Sequence, residues 1–142
     1  MPTYNRREFI PRSLKSCQSQ TYSRLELIVV DDGTDRIADL IPDDPRIHYS
    51  AFDGRENHGR KMNRCCAVAA GDFCLIQDDD GYYPQDRVER LVAPLLAGEK
   101  VVVAGTSRVL VNHIVTIRGD GYPYDTDRKT ATEDSTFAKS RA

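Results

Sequence analysis

The stretch Leu25-Glu26-Leu27-Ile28-Val29-Val30-Asp31-Asp32-Gly33 decides the fold of this chain. Its apolar residues follow one another almost without interruption, which is typical of a strand buried on both faces of a parallel sheet. The run ends in two aspartates and a glycine, and open α/β sheets bind their ligands at this end of their strands. The stretch therefore predicts a parallel sheet and one wall of a binding site.

Two further apolar runs, residues 73–76 and 101–104, predict strands of the same kind, and the first leads into Gln77-Asp78-Asp79-Asp80. Between the strands, apolar residues at helical spacing predict three helices, over residues 9–18, 62–70 and 84–96. Gly71 is the expected C-cap of the second helix. Strands that alternate with helices indicate an α/β fold with a mainly parallel open sheet flanked by helices.

The composition is that of one folded domain, which we predict over residues 1–142, with a small hairpin at residues 109–117 in the C-terminal third. A net charge of −2 argues against nucleic-acid binding through a basic surface. No apolar run approaches the ~20 residues that cross a bilayer. No basic and apolar leader opens the chain, so we predict a cytoplasmic protein without a membrane span. Its four cysteines lack the spacing of a zinc site and are expected to be reduced.

Three consecutive carboxylates, Asp78-Asp79-Asp80, follow the second predicted strand. Like charges at this range repel one another unless something compensates them. Mg²⁺ or Mn²⁺ is a natural compensator, because it prefers oxygen ligands and shares them with substrate phosphates. The alternative is a solvated acidic loop that caps the helix starting near Pro84.

Two other acidic groups extend this pattern. Asp31-Asp32 ends another strand, and it converges with Asp78-Asp79-Asp80 on one crevice if the two strands lie close in the sheet. Glu133-Asp134 lies near the C-terminus, where a carboxylate beside an acceptor hydroxyl would act as a general base. The alternative for this last group is a helix cap that includes Thr132 and Ser135.

The order of these motifs resembles family 2 of the GT-A glycosyltransferases. The resemblance covers nearly the whole chain and is more specific than any one motif. It rests on six segments: Pro2-Thr3-Tyr4-Asn5-Arg6, residues 16–22, residues 26–34, Asn57-His58-Gly59 with residues 63–73, Asp79-Asp80-Gly81-Tyr82-Tyr83-Pro84, and Thr132-Glu133-Asp134.

The resemblance implies a GT-A (Rossmann-like) fold and a nucleotide-diphosphate donor, most often a UDP-sugar. By the same resemblance, the residues that hold the nucleobase are Pro2, Thr3, Tyr4 and Asp32. Asp78 approaches the ribose or the metal. Asp79 is the chief ligand of Mn²⁺ or Mg²⁺, with Asp80 beside it.

The resemblance also implies the chemistry. Arg60 or Lys61 neutralises phosphate, and Asp134 is the catalytic base that deprotonates an acceptor hydroxyl. The sugar then moves by a single in-line displacement that inverts the anomeric carbon. Metal and cation stabilise the departing diphosphate, while the carboxylate activates the nucleophile.

The sequence departs from the family pattern in several places. Counting back from Pro84 puts the first aspartate of the usual DxD at Gln77, whereas the alternative register uses Asp78-Asp79-Asp80. The family's first strand is represented only by its end, which would leave a sheet edge for a homodimer or a larger parent protein to cover. We expect a nearly complete donor-binding part at residues 1–106 and a shortened acceptor part at residues 107–142.

Two rival functions follow from these departures. One is a non-catalytic nucleotide-sugar-binding module. The other is a sugar nucleotidyltransferase, which shares the sheet architecture. The chain lacks the glycine-rich N-terminal loop of that class, so this second rival ranks lower.

Overall fold

The parallel sheet predicted from the sequence is present. The computed structural model describes residues 1–97, 103–104 and 138–140. Strands β1 (Pro2–Thr3), β2 (Leu27–Asp31) and β3 (Ile47–Ala51) form a sheet in that order, and both pairings are parallel. Every residue of β2 is buried, as its unbroken apolar run requires. The prediction of an α/β fold with a parallel sheet flanked by helices is confirmed.

Helices cover both faces of this sheet. Leu27 and Val29 of β2 pack against α1 (Ile10–Gln18), whereas Ile28 and Val30 pack on the other face against α2 (His58–Val68). Because successive residues of a strand point to opposite faces, β2 must be apolar throughout. This two-sided burial is the physical reason why the run at residues 27–30 does not alternate.

A second sheet is present that the sequence analysis did not predict, since we expected one mainly parallel sheet. Its strands are β4 (Phe73–Leu75), β5 (Val103–Ala104) and β6 (Ala138–Ser140), in the order β4-β6-β5. The predictions that residues 73–76 and 101–104 form parallel strands are wrong among the described residues, because β4 and β5 each pair with β6 in the antiparallel direction. A continuous apolar run carries no information about the direction of the neighbouring strand, and β4 itself is only half-buried among the described residues.

Two helix boundaries also differ from the predictions. α2 begins at His58, four residues early, because the Asn57 side chain caps it by accepting the Arg60 N–H at 2.9 Å. It ends at Val68 with Ala69 extended, so Gly71 is not its C-cap. α3 covers Arg87–Ala97 and includes a proline in its last turn. No helix within the described residues is long and apolar enough to cross a membrane. The hairpin predicted at residues 109–117 and the boundary at residue 106 lie outside the described residues.

A close approach of two backbones joins the N-terminal turn to the end of β2. Asn5 adopts a left-handed conformation (φ 52°), and its Oδ1 accepts the backbone N–H groups of Thr34 at 2.8 Å and Asp35 at 3.0 Å. Gly33 lies against this turn. A Cβ atom on Gly33 would lie 2.7 Å from Asn5 Oδ1 and 2.8 Å from Asn5 N. The contact therefore requires glycine at position 33.

We expect Gly33→Ala to lower the free energy of unfolding by about 1–3 kcal/mol, because the added methyl group forces the Asn5 turn away from β2. Urea denaturation followed by circular dichroism measures this loss. Gly59→Ala is the matched control. Its Cβ would meet only Asn57 Oδ1 at an ordinary 3.6 Å, and alanine is the better helix former. Equal stability of the two variants would contradict the steric argument.

Candidate functional site

A polar cavity of about 370 Å³ opens at the carboxyl ends of β1 and β4. It brings together the N-terminal turn, the loop before α2, the first turns of α2 and the acidic segment after β4. Its lining residues are Pro2, Thr3, Tyr4, Arg6, Arg55, His58, Lys61, Asp78, Asp79 and Asp80. Seven of the residues that the family resemblance assigned to donor or metal binding lie in this one wall: Pro2, Thr3, Tyr4, Lys61, Asp78, Asp79 and Asp80.

The three carboxylates of the acidic segment are in different environments. Asp79 is buried, whereas Asp80 is exposed and pairs with Arg6 at 3.2 Å. The Asp80 carbonyl accepts a hydrogen bond from Arg12 Nη2 at 2.6 Å. The backbone N–H of Asp78 donates to the Tyr83 hydroxyl at 2.7 Å. The segment is therefore held by its backbone, and its carboxylates line the cavity.

Gln77 takes no part in the cavity wall. Its amide nitrogen donates to Ser13 Oγ at 3.1 Å and lies 3.3 Å from the Ser13 carbonyl, so its side chain is directed at α1. Of the two registers left open by the sequence, the one that uses Asp78, Asp79 and Asp80 places all its carboxylates at the cavity.

α1 also positions the segment that follows. Ser16 Oγ donates to the Tyr83 carbonyl at 3.0 Å. Gln20 both donates to the Pro84 carbonyl at 2.8 Å and accepts the Val88 N–H at 3.0 Å. The motif at residues 16–22 thus has a structural role that its sequence did not reveal. It clamps the chain between the acidic segment and α3.

The N-terminal turn presents Tyr4 to the cavity and hides Thr3. The Tyr4 ring lies between two cations, with the Arg55 guanidinium 4.5 Å and the Lys61 ammonium 5.8 Å from its centroid. Thr3 is buried, and its hydroxyl has no hydrogen-bond partner among the described residues. Tyr4 is therefore the half-buried side chain of this turn that lines the cavity, and it is covered by Arg55 and Lys61.

Asp32 lies behind the cavity wall, where it forms a buried ion pair. Lys61 Nζ donates to Asp32 Oδ1 at 2.7 Å and to the Thr3 carbonyl at 3.2 Å, and the Glu56 N–H donates to Asp32 Oδ2 at 2.7 Å. Burial by itself would raise the pKa of Asp32. The hydrogen bonds from Lys61 and Glu56 outweigh this effect, so the pKa lies below its usual value. The carboxylate is ionised and already satisfied by the protein.

The neighbouring Asp31 has a structural role. Its carboxylate accepts the Gly33 N–H and the Tyr49 hydroxyl, both at 2.8 Å. Burial and this hydrogen bond raise the pKa of Tyr49 to about 12. Asp31 therefore closes the turn after β2 and does not line the cavity.

The remaining assignments divide as follows. Arg60 is exposed and does not line the cavity. Asp134 lies outside the described residues. Sequence reasoning missed Arg6 and Arg55, and it gave His58 little weight. Arg6 belonged to a quoted motif without receiving a role, whereas Arg55 lies in the loop before α2 and belongs to no motif.

The cavity suits a divalent cation whose coordination is completed by a bound substrate. Among the described residues, no three His, Cys, Asp or Glu side chains converge as a ready metal site. Mg²⁺ and Mn²⁺ often bind through one or two carboxylates and complete their coordination with water and substrate phosphates. Carboxylates at Asp78, Asp79 and Asp80 beside an open cavity match that mode.

Comparison with known proteins identifies the family. The family model described as glycosyl transferase family 2 matches residues 1–134. An uncharacterized glycosyltransferase of Haemophilus influenzae is 28% identical over 110 residues, which cover 74% of this chain and 44% of that protein. The GalNAc(5)-diNAcBac-PP-undecaprenol beta-1,3-glucosyltransferase of Campylobacter jejuni is 32% identical over 86 residues, 56% of this chain and 28% of that one.

A solved structure agrees with the fold. The mannosyltransferase PcManGT from Pyrobaculum calidifontis, in complex with GDP-Man and Mn²⁺, matches with a TM-score of 0.62 and 25% identity over 75% of this chain and 34% of that one. The sheet and its flanking helices define an α/β domain of the GT-A type. The chain belongs to glycosyl transferase family 2. It spans less than half the length of each of these three proteins.

We expect Lys61→Met to lower the free energy of unfolding by about 3–5 kcal/mol at neutral pH, because it leaves the buried Asp32 carboxylate without a cation. In the wild type the lowered pKa of Asp32 adds stability above the usual carboxylate pKa, and this contribution is lost as the pH falls. In the variant the pH dependence of stability is opposite: the free energy of unfolding rises as the pH falls, because acidification protonates the unpaired Asp32 carboxylate and removes the cost of a buried charge.

Urea denaturation of both proteins at several pH values between about 4 and 7 measures this difference. The double variant Asp32→Asn with Lys61→Met removes both charges and should recover much of the loss. Parallel pH profiles for Lys61→Met and the wild type would show that the ion pair does not control stability.

Proposed function

We propose that this chain is a glycosyltransferase domain that takes its sugar from a nucleotide diphosphate and passes it to an acceptor hydroxyl. The observation that carries this proposal is the cavity itself, where Asp78-Asp79-Asp80 faces the cationic side chains of Arg6, Arg55 and Lys61. Carboxylates for a metal and cations for phosphate in one cavity are the groups that a metal-bound diphosphate needs. Membership of glycosyl transferase family 2 supports the same substrate class.

In this proposal the metal is Mn²⁺ or Mg²⁺, held by Asp79 and Asp80, with Asp78 directed to the ribose or to the metal. When bound, the cation supplies Lewis-acid stabilisation of the departing diphosphate. The similar mannosyltransferase of Pyrobaculum calidifontis was solved with GDP-Man and Mn²⁺, which supports a metal-bound nucleotide sugar in this fold.

The nucleoside would lie against the N-terminal turn, with its base beside the Tyr4 side chain. Pro2, Thr3 and Asp32 would support this position from beneath, since Asp32 holds the Thr3 carbonyl through Lys61. We propose uridine as the nucleoside, following the family resemblance. Guanosine is the alternative, since the similar mannosyltransferase was solved with a guanosine donor.

Asp134 would complete the reaction as catalytic base. Its carboxylate takes the proton of the acceptor hydroxyl while the acceptor oxygen bonds to the anomeric carbon. The bond from that carbon to the diphosphate oxygen breaks in the same step, with its electron pair leaving on the diphosphate. The displacement inverts the anomeric centre.

The first test is calorimetric titration of UDP and GDP, each with and without Mn²⁺, on the wild type and on Asp79→Asn. We expect metal-dependent binding of one nucleotide and at least a tenfold loss in the variant, because the amide cannot supply the ligand charge. Asp43→Asn is the matched control, since Asp43 is an exposed aspartate outside the cavity. Failure of both nucleotides to bind under every condition would overturn the proposed donor site.

The second test is donor turnover by the wild type and by Asp134→Asn. We expect the variant to bind the nucleotide with unchanged affinity and to lose most of its turnover, because general-base catalysis typically contributes ~10²–10⁴-fold. Release of nucleoside diphosphate measures the reaction. Tight binding without wild-type turnover would favour the non-catalytic binding module, and pyrophosphate release would favour the nucleotidyltransferase.

Two further predictions accompany this proposal. They are a cytoplasmic location and a homodimer. Sedimentation of the purified chain distinguishes a monomer from a dimer directly.

A further inference from the structure

We propose that Arg55 is the side chain that binds the donor diphosphate, in the role that sequence resemblance gave to Arg60 or Lys61. The inference rests on the proposed function and deepens it. Three cationic side chains line the cavity, namely Arg6, Arg55 and Lys61. The question is which of them has charge available for an incoming anion.

Two of these cations already have carboxylate partners. Lys61 is buried and donates to Asp32 at 2.7 Å, so its charge is neutralised within the protein. Arg6 pairs with Asp80 at 3.2 Å. Arg55 forms no ion pair within residues 1–97, the continuous part that the structure describes. It is therefore the cavity cation whose charge the described residues leave uncompensated.

Arg55 is also held in place. Its guanidinium lies over the Tyr4 ring at 4.5 Å, and stacking of this kind keeps the planar group oriented while leaving its N–H donors exposed. A guanidinium presents these donors in a fork that matches two phosphate oxygens. The geometry suits a diphosphate lying between Tyr4 and the acidic segment.

The loop that carries Arg55 is anchored on both sides. The next residue, Glu56, donates its N–H to Asp32 at 2.7 Å, and its carboxylate accepts two hydrogen bonds from Arg64 at 2.7 and 2.8 Å. On the other side, Arg36 Nη2 donates to the Phe52 carbonyl at 2.8 Å. A ligand therefore meets a pre-positioned arginine and does not have to order a free loop, which lowers the entropic cost of binding.

Arg60 lacks these features. It does not line the cavity, and its backbone N–H serves the helix cap at Asn57. The resemblance placed a cation near this position in the sequence. The structure instead brings a cation to the cavity from five residues earlier, in the loop before α2.

The test measures binding of three probes to Arg55→Ala in the presence of Mn²⁺: the nucleoside diphosphate that binds the wild type, its parent nucleoside, and inorganic pyrophosphate. We expect Arg55→Ala to weaken the nucleoside diphosphate and pyrophosphate by about tenfold or more and to leave the nucleoside unchanged. Arg24→Ala is the matched control, because Arg24 lies over the Tyr22 ring at 5.7 Å and outside this cavity. Arg60→Ala is the competing variant.

Two outcomes with the nucleotide and nucleoside probes overturn the proposal. An equal loss for nucleoside and diphosphate would mean that Arg55 acts through Tyr4 on the base. A loss in Arg60→Ala but not in Arg55→Ala would return the role to Arg60. Binding of pyrophosphate to the wild type and to Arg55→Ala tests this inference independently of the proposed function. If the wild type binds pyrophosphate through Arg55 but binds no nucleotide, the proposed function fails and the inference stands. If it binds neither, both fail.

Discussion

The buried ion pair of Asp32 and Lys61 holds four parts of the chain in one place. Asp32 ends β2, and Lys61 projects from α2. Through the Thr3 carbonyl the same lysine supports the N-terminal turn, and through the Glu56 N–H the same aspartate supports the loop that carries Arg55. Buried charges are tolerated only when they are paired and hydrogen-bonded, so each of these partners is needed by the others. The cavity wall has its shape because this pair is intact.

This arrangement changes how the Asp31-Asp32-Gly33 motif is understood. The resemblance assigned Asp32 to the nucleobase, yet both of its oxygens already accept hydrogen bonds from the protein. Asp31 is likewise engaged, with Gly33 and Tyr49. The motif therefore builds the scaffold on which Tyr4 and Arg55 are displayed.

Much of this could be predicted from the sequence, for identifiable reasons. β2 was predictable because burial on both faces imposes an unbroken apolar run. The position of Asp78-Asp79-Asp80 at the cavity was predictable because the residues that follow a strand of an α/β sheet lie at its ligand-binding edge. The direction of β4 could not be predicted, because hydrophobicity does not determine which strand pairs with it. The start of α2 was missed because its first turn is polar, and Arg55 was missed because its position depends on contacts with Tyr4 that no linear pattern contains.

The clamp from α1 has a consequence for how this domain can vary. Ser13, Ser16 and Gln20 reach across to the chain between Gln77 and Val88, while the body of α1 packs on the core beneath β2. The acidic segment and α1, which holds it by hydrogen bonds, therefore form one structural unit made of two distant pieces of sequence. A chimaera that imports residues 77–88 from a relative would need residues 13–20 from the same donor, and drift in one piece should be accompanied by drift in the other.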